Sequence, residues 1–188
     1  MCLLSSFSRS VCLLLLVANL AACLLFSGCS EANGLNVIVR TPKQLIDAAA
    51  QSQAGDVIVL GNGEWVDAEL VFIAQGTAEE PITLRAENKG QVILKGQSNL
   101  SISGEYLIVE GLVFKEGYTP TSEVISFRTS RDELCNHCRV TECVIDHYTN
   151  PERFESDYWV GIYGRNNRFD HNYLVGKGNQ GVTLAVRL

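Results

Sequence analysis

Three nine-residue stretches repeat one pattern: Tyr106 to Phe114, Cys138 to Asp146 and Asn167 to Val175. Superposed from their first residues, they align Ile108, Val140 and Phe169, then Gly111, Cys143 and Asn172, then Val113, Ile145 and Leu174. The offsets are 32 and 29 residues. A period of this size is the mark of a stacked repeat, in which each unit buries its apolar face only against its neighbours. Gly111, Cys143 and Asn172 are expected at a turn, where a small or amide side chain bonds the next coil.

The segments around these stretches agree. Asp56 to Leu60, Pro81 to Arg85, Gln91 to Lys95, Asn99 to Ser103 and Tyr106 to Phe114 alternate with period 2 between Gly, Asn, Asp and Pro turns. One helix is predicted before them. Thr41 is a good N-cap, Pro42 suits the first helical position, Gln44 completes a capping box, and Leu45, Ile46 and Ala49 form an apolar stripe that Gly55 ends. No helical segment of useful length follows residue 52, which excludes alternating βαβ organisation. A β-solenoid, a sandwich or a propeller remains. The ladder of like residues favours an all-β, right-handed, single-stranded parallel β-helix whose open N-terminal end is capped by the short helix.

Residues 1–28 read as a secretory leader. Arg9 is their only charge, and an apolar run opens at Val11 and continues through Leu24 to Gly28. Two segments resemble a bacterial lipobox, Leu20-Ala-Ala-Cys23 and Phe26-Ser-Gly-Cys29. Polar sequence follows Cys29, so Cys29 is the expected lipidation site, with Cys23 the alternative and plain cleavage or an uncleaved anchor the competing readings. The chain then divides into leader 1–28, tether 29–36 and β-helix 37–188. A membrane contact through a lipid anchor is expected, at the outer membrane or facing the periplasm of a bacterial envelope, with secretion as the variant. The net charge of -6 argues against bulk nucleic-acid binding, which needs a basic face. It leaves room for a local basic cleft.

Residues 79–117 bring in a family. Glu80-Pro-Ile-Thr-Leu-Arg-Ala-Glu-Asn-Lys-Gly-Gln-Val-Ile-Leu-Lys-Gly and Ser103-Gly-Glu-Tyr-Leu-Ile-Val-Glu-Gly-Leu-Val-Phe-Lys-Glu-Gly117 resemble the N-terminal part of polysaccharide lyase family six, which contains alginate lyases and chondroitinase B. Gly55 to Trp65 resembles its first coil, and Asn167 to Leu188 a later coil on the alginate-lyase side. The resemblance implies a pectate-lyase-like solenoid and β-elimination at a uronic acid. That chemistry needs the carboxylate neutralised, a base at C5 and a proton source for the leaving oxygen. In the family these roles fall to calcium held by asparagine and glutamates, a lysine and an arginine. No acidic cluster followed by Asn-Lys-Ser or Ser-Lys-Ser, and no Arg-His-Gly, occurs in this sequence. The chain is therefore expected to be a C-terminally truncated fragment with no catalytic residue and no metal ligand, inactive alone. Calcium is expected only in the full-length family member. The substrate expected is alginate. The alternatives are a chondroitin or dermatan sulfate lyase, or a non-catalytic solenoid that binds acidic glycans.

Several side chains carry candidate roles. Lys177 and Arg187, with Lys115, are expected along one face of the stack, where they contact uronate carboxylates. Asn179 superficially resembles a calcium asparagine, though its flanks fit an earlier coil. His137, His147 and His171 are read as surface residues, and Tyr148, Tyr158 and Tyr163 as rim aromatics. Cys135, Cys138, Cys143 and His137 have zinc-like spacing, but an exported chain favours a disulfide such as Cys135–Cys138, with Cys143 a buried apolar residue.

Overall fold

The computed structural model describes residues 34–187. The leader, Cys23, Cys29 and most of the tether lie outside them. In chain order the elements are β1 (Asn36–Val39), α1 (Pro42–Gln51), β2 (Val57–Leu60), β3 (Gly63–Val66), β4 (Glu69–Gln75), β5 (Ile82–Ala86), β6 (Val92–Gly96), β7 (Asn99–Glu105), β8 (Leu107–Glu110) and β9 (Val113–Gly117). They continue with β10 (Glu123–Ser126), β11 (Cys135–Asn136), β12 (Arg139–Thr141), β13 (Val144–Asp146), β14 (Tyr158–Ile162), β15 (Arg168–Asp170), β16 (Tyr173–Val175) and β17 (Leu184–Val186).

Successive coils lay one strand into each of three sheets, and every named pairing between strands is parallel. Sheet A runs β1-β2-β5-β8-β12-β15 and sheet B runs β16-β13-β9-β6-β3. Sheet C contains β11-β7-β10-β14-β17, with β4 also paired to β7. This is the parallel β-solenoid that the repeat predicts. Columns of identical environment form the core: Leu84, Val109 and Val140 stack from coil to coil in sheet A, and Leu94, Phe114 and Ile145 in sheet B, all buried.

The register corrects the first offset. Val140 pairs with Val109, not Ile108, and Ile145 pairs with Phe114, not Val113. The true spacing there is 31 residues, whereas the second spacing of 29 holds, with Val140 on Phe169 and Ile145 on Leu174. A slip of one residue exchanges the faces of a strand. Leu107-Ile108-Val109 and Leu112-Val113-Phe114 are apolar at every position, so alternation could not choose the face. In the corrected register, left-handed residues stack into three corner columns. These are Tyr106, His137 and Asn166 (φ 52°, 55°, 56°), Gly111, Glu142 and His171 (81°, 55°, 56°), and Glu116, His147 and Gly176 (56°, 48°, 82°). All three histidines are thus exposed corner residues. Asn172 does bond the adjacent coil as expected: Cys143 N–H donates to its Oδ1 at 2.8 Å, and its Nδ2 donates to Val140 C=O at 3.0 Å.

α1 covers the N-terminal end. Thr41 Oγ1 accepts from Gln44 N–H, and Gln44 Oε1 accepts from the N–H of Arg40, one residue earlier than a standard capping box requires. Leu45 and Ala49 are buried, but Ile46 is exposed, and the helix stops at Gln51 rather than at Gly55. The tether ends one residue sooner than expected, because Asn36 already belongs to β1.

Candidate binding cleft on sheet C

The outer face of sheet C holds the most developed site. Leu100 and Ile102 point inward and are buried, so Ser101 points outward by strand alternation. The register then places Ser101, Ser126, Gly161 and Ala185 in one outward column of small side chains. Two residues further along each strand, the same column carries Arg128, Tyr163 and Arg187. Backbone bonds from Phe127 N–H to Gly161 C=O and from Arg187 N–H to Ile162 C=O, both 2.9 Å, hold that extension in line.

Arg128, Tyr163 and Arg187 join Arg131, Leu134, Gly164 and Arg165 around a cleft of about 590 Å³. Arg131 is delivered by a hairpin excursion after β10, closed by the antiparallel bridge of Arg128 with Leu134 and by Thr129 N–H to Glu133 C=O at 3.0 Å. The buried Cys135–Cys138 disulfide sits at the hairpin's base. That bond overturns the zinc reading, and Cys143 is a buried free thiol whose pKa burial pushes up to about 12.

Inside the cleft, Tyr163 Oη donates to Glu123 Oε1 at 2.6 Å. The Arg128 guanidinium lies 3.8 Å from the Tyr163 ring centroid and 3.9 Å from Glu123 Oε1. Burial, then the Glu123 bond, raises the Tyr163 phenol pKa. Gly161 makes this packing possible: a Cβ there would lie 2.8 Å from Glu123 Cγ and 2.9 Å from Tyr163 Cε2. Arg187 reaches back over the Tyr158 ring, 4.7 Å from its centroid. Four arginines and no carboxylate line the cleft, which makes its wall electropositive in an acidic chain. Guanidinium forks suit planar carboxylates and sulfates, and a low-dielectric wall concentrates their field.

Of the two expected substrate contacts, only Arg187 lies in this cleft. Lys177 is not on the same face. Its ammonium is nearly buried and donates to Asp157 Oδ1 at 2.6 Å, Asn179 Oδ1 at 2.8 Å and Gln180 C=O at 3.4 Å, with the Trp159 ring 5.9 Å away. All its donors are engaged inside the protein. Lys115 sits on β9 in sheet B and is paired with Glu116. Asn179 is equally committed. Its Oδ1 accepts from Lys177 and Thr149, and its Nδ2 donates to Glu155 C=O and Asp157 Oδ2. Among the described residues, no group of three or more His, Cys, Asp or Glu stands together. Tyr148 is no rim residue: it is fully buried, and its hydroxyl accepts from Ser98 N–H at 2.7 Å. Arg128, Arg131 and Arg165 escaped sequence reading. Their one signal was that each follows a strand of sheet C, and that sheet had not been placed.

Comparison with known proteins follows the same lines. A family model described as Chondroitinase B matches residues 39–188. The solved PL6 family alginate lyase AlyGC is 56% identical with a TM-score of 0.80, over 82% of this chain and 21% of that one. A mannuronic acid specific polysaccharide family 6 lyase from human gut microbiota is 33% identical with a TM-score of 0.72, over 80% of this chain and 36% of that one. The PL6 family polysaccharide lyase Pedsa3628 from Pseudopedobacter saltans is 31% identical with a TM-score of 0.74, over 80% and 34%. The chain thus spans about a fifth of the first of these proteins and about a third of the other two. The search of curated proteins found no match.

Proposed function

The chain belongs to polysaccharide lyase family six, and from that premise we propose that it serves an alginate lyase that cleaves by β-elimination at a uronic acid. The observation that carries the reading is the Arg128–Tyr163–Arg187 column with Arg131 and Arg165 beside it, on the outer face of sheet C. In this reading the arginines hold uronate carboxylates and set the register of the polymer, so that binding energy orients the sugar at the reacting centre. Tyr163, held by Glu123, fixes Arg128 rather than moving a proton. The 56% identity to an alginate lyase supports alginate as substrate. The match to the chondroitinase B model supports a second reading, a lyase for chondroitin or dermatan sulfate, whose sulfates the same guanidinium forks would hold. The lipid anchor at Cys29 and an envelope location belong to the same proposal.

The test is titration of the chain with alginate, chondroitin sulfate, dermatan sulfate and a neutral glucan, beside an absorbance assay for the unsaturated uronate product. Alginate binding that Arg187→Ala weakens, and that rising salt weakens further, supports the reading. Equal affinity for the neutral glucan would sink it.

A further inference from the structure

The buried Lys177–Asp157 pair takes no part in the cleft, yet it is an expensive arrangement. Both side chains are under a tenth exposed, and a buried ion pair seldom stabilises a fold over an apolar replacement. Its partners show what it holds. Asp157 Oδ2 accepts from Asn179 Nδ2 at 2.9 Å, and the same Nδ2 donates to Glu155 C=O at 2.9 Å. Gln180 N–H donates to Arg153 C=O at 2.8 Å, and Asp157 N–H donates to Gln180 C=O at 3.2 Å. Glu155 N–H closes a turn on Glu152 C=O at 3.0 Å. Every one of these bonds fastens the loop between β13 and β14. That loop displays Phe154, 87% exposed, beside a shallow pocket of 280 Å³ lined by Arg153, Gly178, Asn179 and Gln180.

We propose that Phe154 is a stacking platform for a sugar ring of the polysaccharide, on the loop that enters β14 at the end of the strand away from the arginine cleft. The loop enters β14 at Tyr158 and the arginine cleft begins where β14 ends, so the strand, roughly 16 Å long, runs between them. A large aromatic side chain is held out in water by a built polar network, and the C–H face of a pyranose is the ligand that suits a flat ring. Charge does not carry this contact, because Glu152 and Glu155 flank Arg153 and leave the segment net negative. Lys177, expected to touch substrate, acts instead as the positioning residue of this loop. The inference rests on the glycan-binding reading above.

The full chain is titrated with alginate-derived oligomannuronate and with a neutral cello-oligosaccharide, at low and high salt. Phe154→Ala is expected to weaken oligomannuronate binding roughly two- to twelvefold, the range typical of aromatic stacking increments. The factor should be the same at both salt concentrations, and Phe154→Trp should restore affinity. Arg187→Ala should also weaken binding, with a factor that shrinks as salt rises. Since Phe154 is almost wholly exposed, its variants should melt with the parent. If Phe154→Ala binds like the parent while Arg187→Ala is weakened, the stacking platform is refuted and the arginine cleft stands. If the parent binds no oligomannuronate, the glycan reading fails, and the platform with it.

Discussion

Replacing Lys177 by Met should destabilise the solenoid more than any surface change of equal size. The ammonium gives up contacts to Asp157 Oδ1 at 2.6 Å, to Asn179 Oδ1 at 2.8 Å and to Gln180 C=O at 3.4 Å. Asp157 is then left as a buried carboxylate whose remaining side-chain partner is the neutral Asn179 Nδ2. Breaking a buried pair from one side costs about 3–5 kcal/mol, because the surviving charge is uncompensated. For a domain of this size that corresponds to a fall in melting temperature of roughly 6–20 °C. The companion Lys177→Met, Asp157→Leu double variant removes both charges and should recover most of the loss, since apolar pairs of similar volume are often neutral or better. Urea unfolding of the four proteins closes the cycle. A single variant within about 0.5 kcal/mol of the parent, or a double variant no better than the single, would refute the argument that the buried charge is what matters.

Four shorter expectations accompany it. Gly161→Ala should force Glu123 and Tyr163 apart and cost about 1–3 kcal/mol as overpacking, and it should weaken oligouronate binding in titration calorimetry. Replacing Cys135 and Cys138 by Ser opens a loop of only three residues' separation, so the chain-entropy loss is about 2 kcal/mol; denaturant midpoints under non-reducing conditions measure it. The Arg139 fork, binding Asp170 at 2.8 and 2.9 Å, holds that carboxyl well below the usual carboxylate range, with His171 and Arg168 adding to the effect. A depressed folded pKa means the contribution is complete above the unfolded value near pH 4 and is lost as pH falls toward the folded one. Asp170→Asn should therefore flatten the acid limb of stability between about pH 4 and pH 2, read from urea midpoints. Cys143, buried and with its thiol pKa pushed up to about 12, should resist iodoacetamide at pH 8 until the chain unfolds; mass spectrometry of native and denatured samples checks this.

Much of the architecture could be read from residue order. A repeat of about thirty residues with short period-2 strands admits few folds other than a stack, and the Thr41-Pro42 start marks the helix before it. The Asn172 rung was readable as well, because an amide at a turn of a repeat has few partners besides the neighbouring backbone. The break between β8 and β9 was readable too, since Gly111, at φ 81°, is a turn residue inside Tyr106 to Phe114, whereas β1 was not, because it lies before the helix and outside the repeat. The arginine cleft was less visible still. Arg128 and Arg187 lie 59 positions apart, and the loops that flank sheet C vary in length. Tyr158 pairs with Glu123, 35 residues earlier, while Leu184 pairs with Val160, only 24 earlier. A fixed repeat cannot predict which side chains such variable excursions bring together.

The sequence by itself determined that this chain stacks, because periodicity acts locally and recurs in every coil, and its motifs carry the resemblance to polysaccharide lyase family six. The one-residue register, the left-handed corner columns, the burial of Lys177 and the gathering of Arg128, Arg131, Arg165 and Arg187 into one cleft were decided only by the tertiary structure. Each depends on which coil lies above which, and hydrogen bonding between coils sets that relation where the apolar pattern, satisfied on either face, leaves it open.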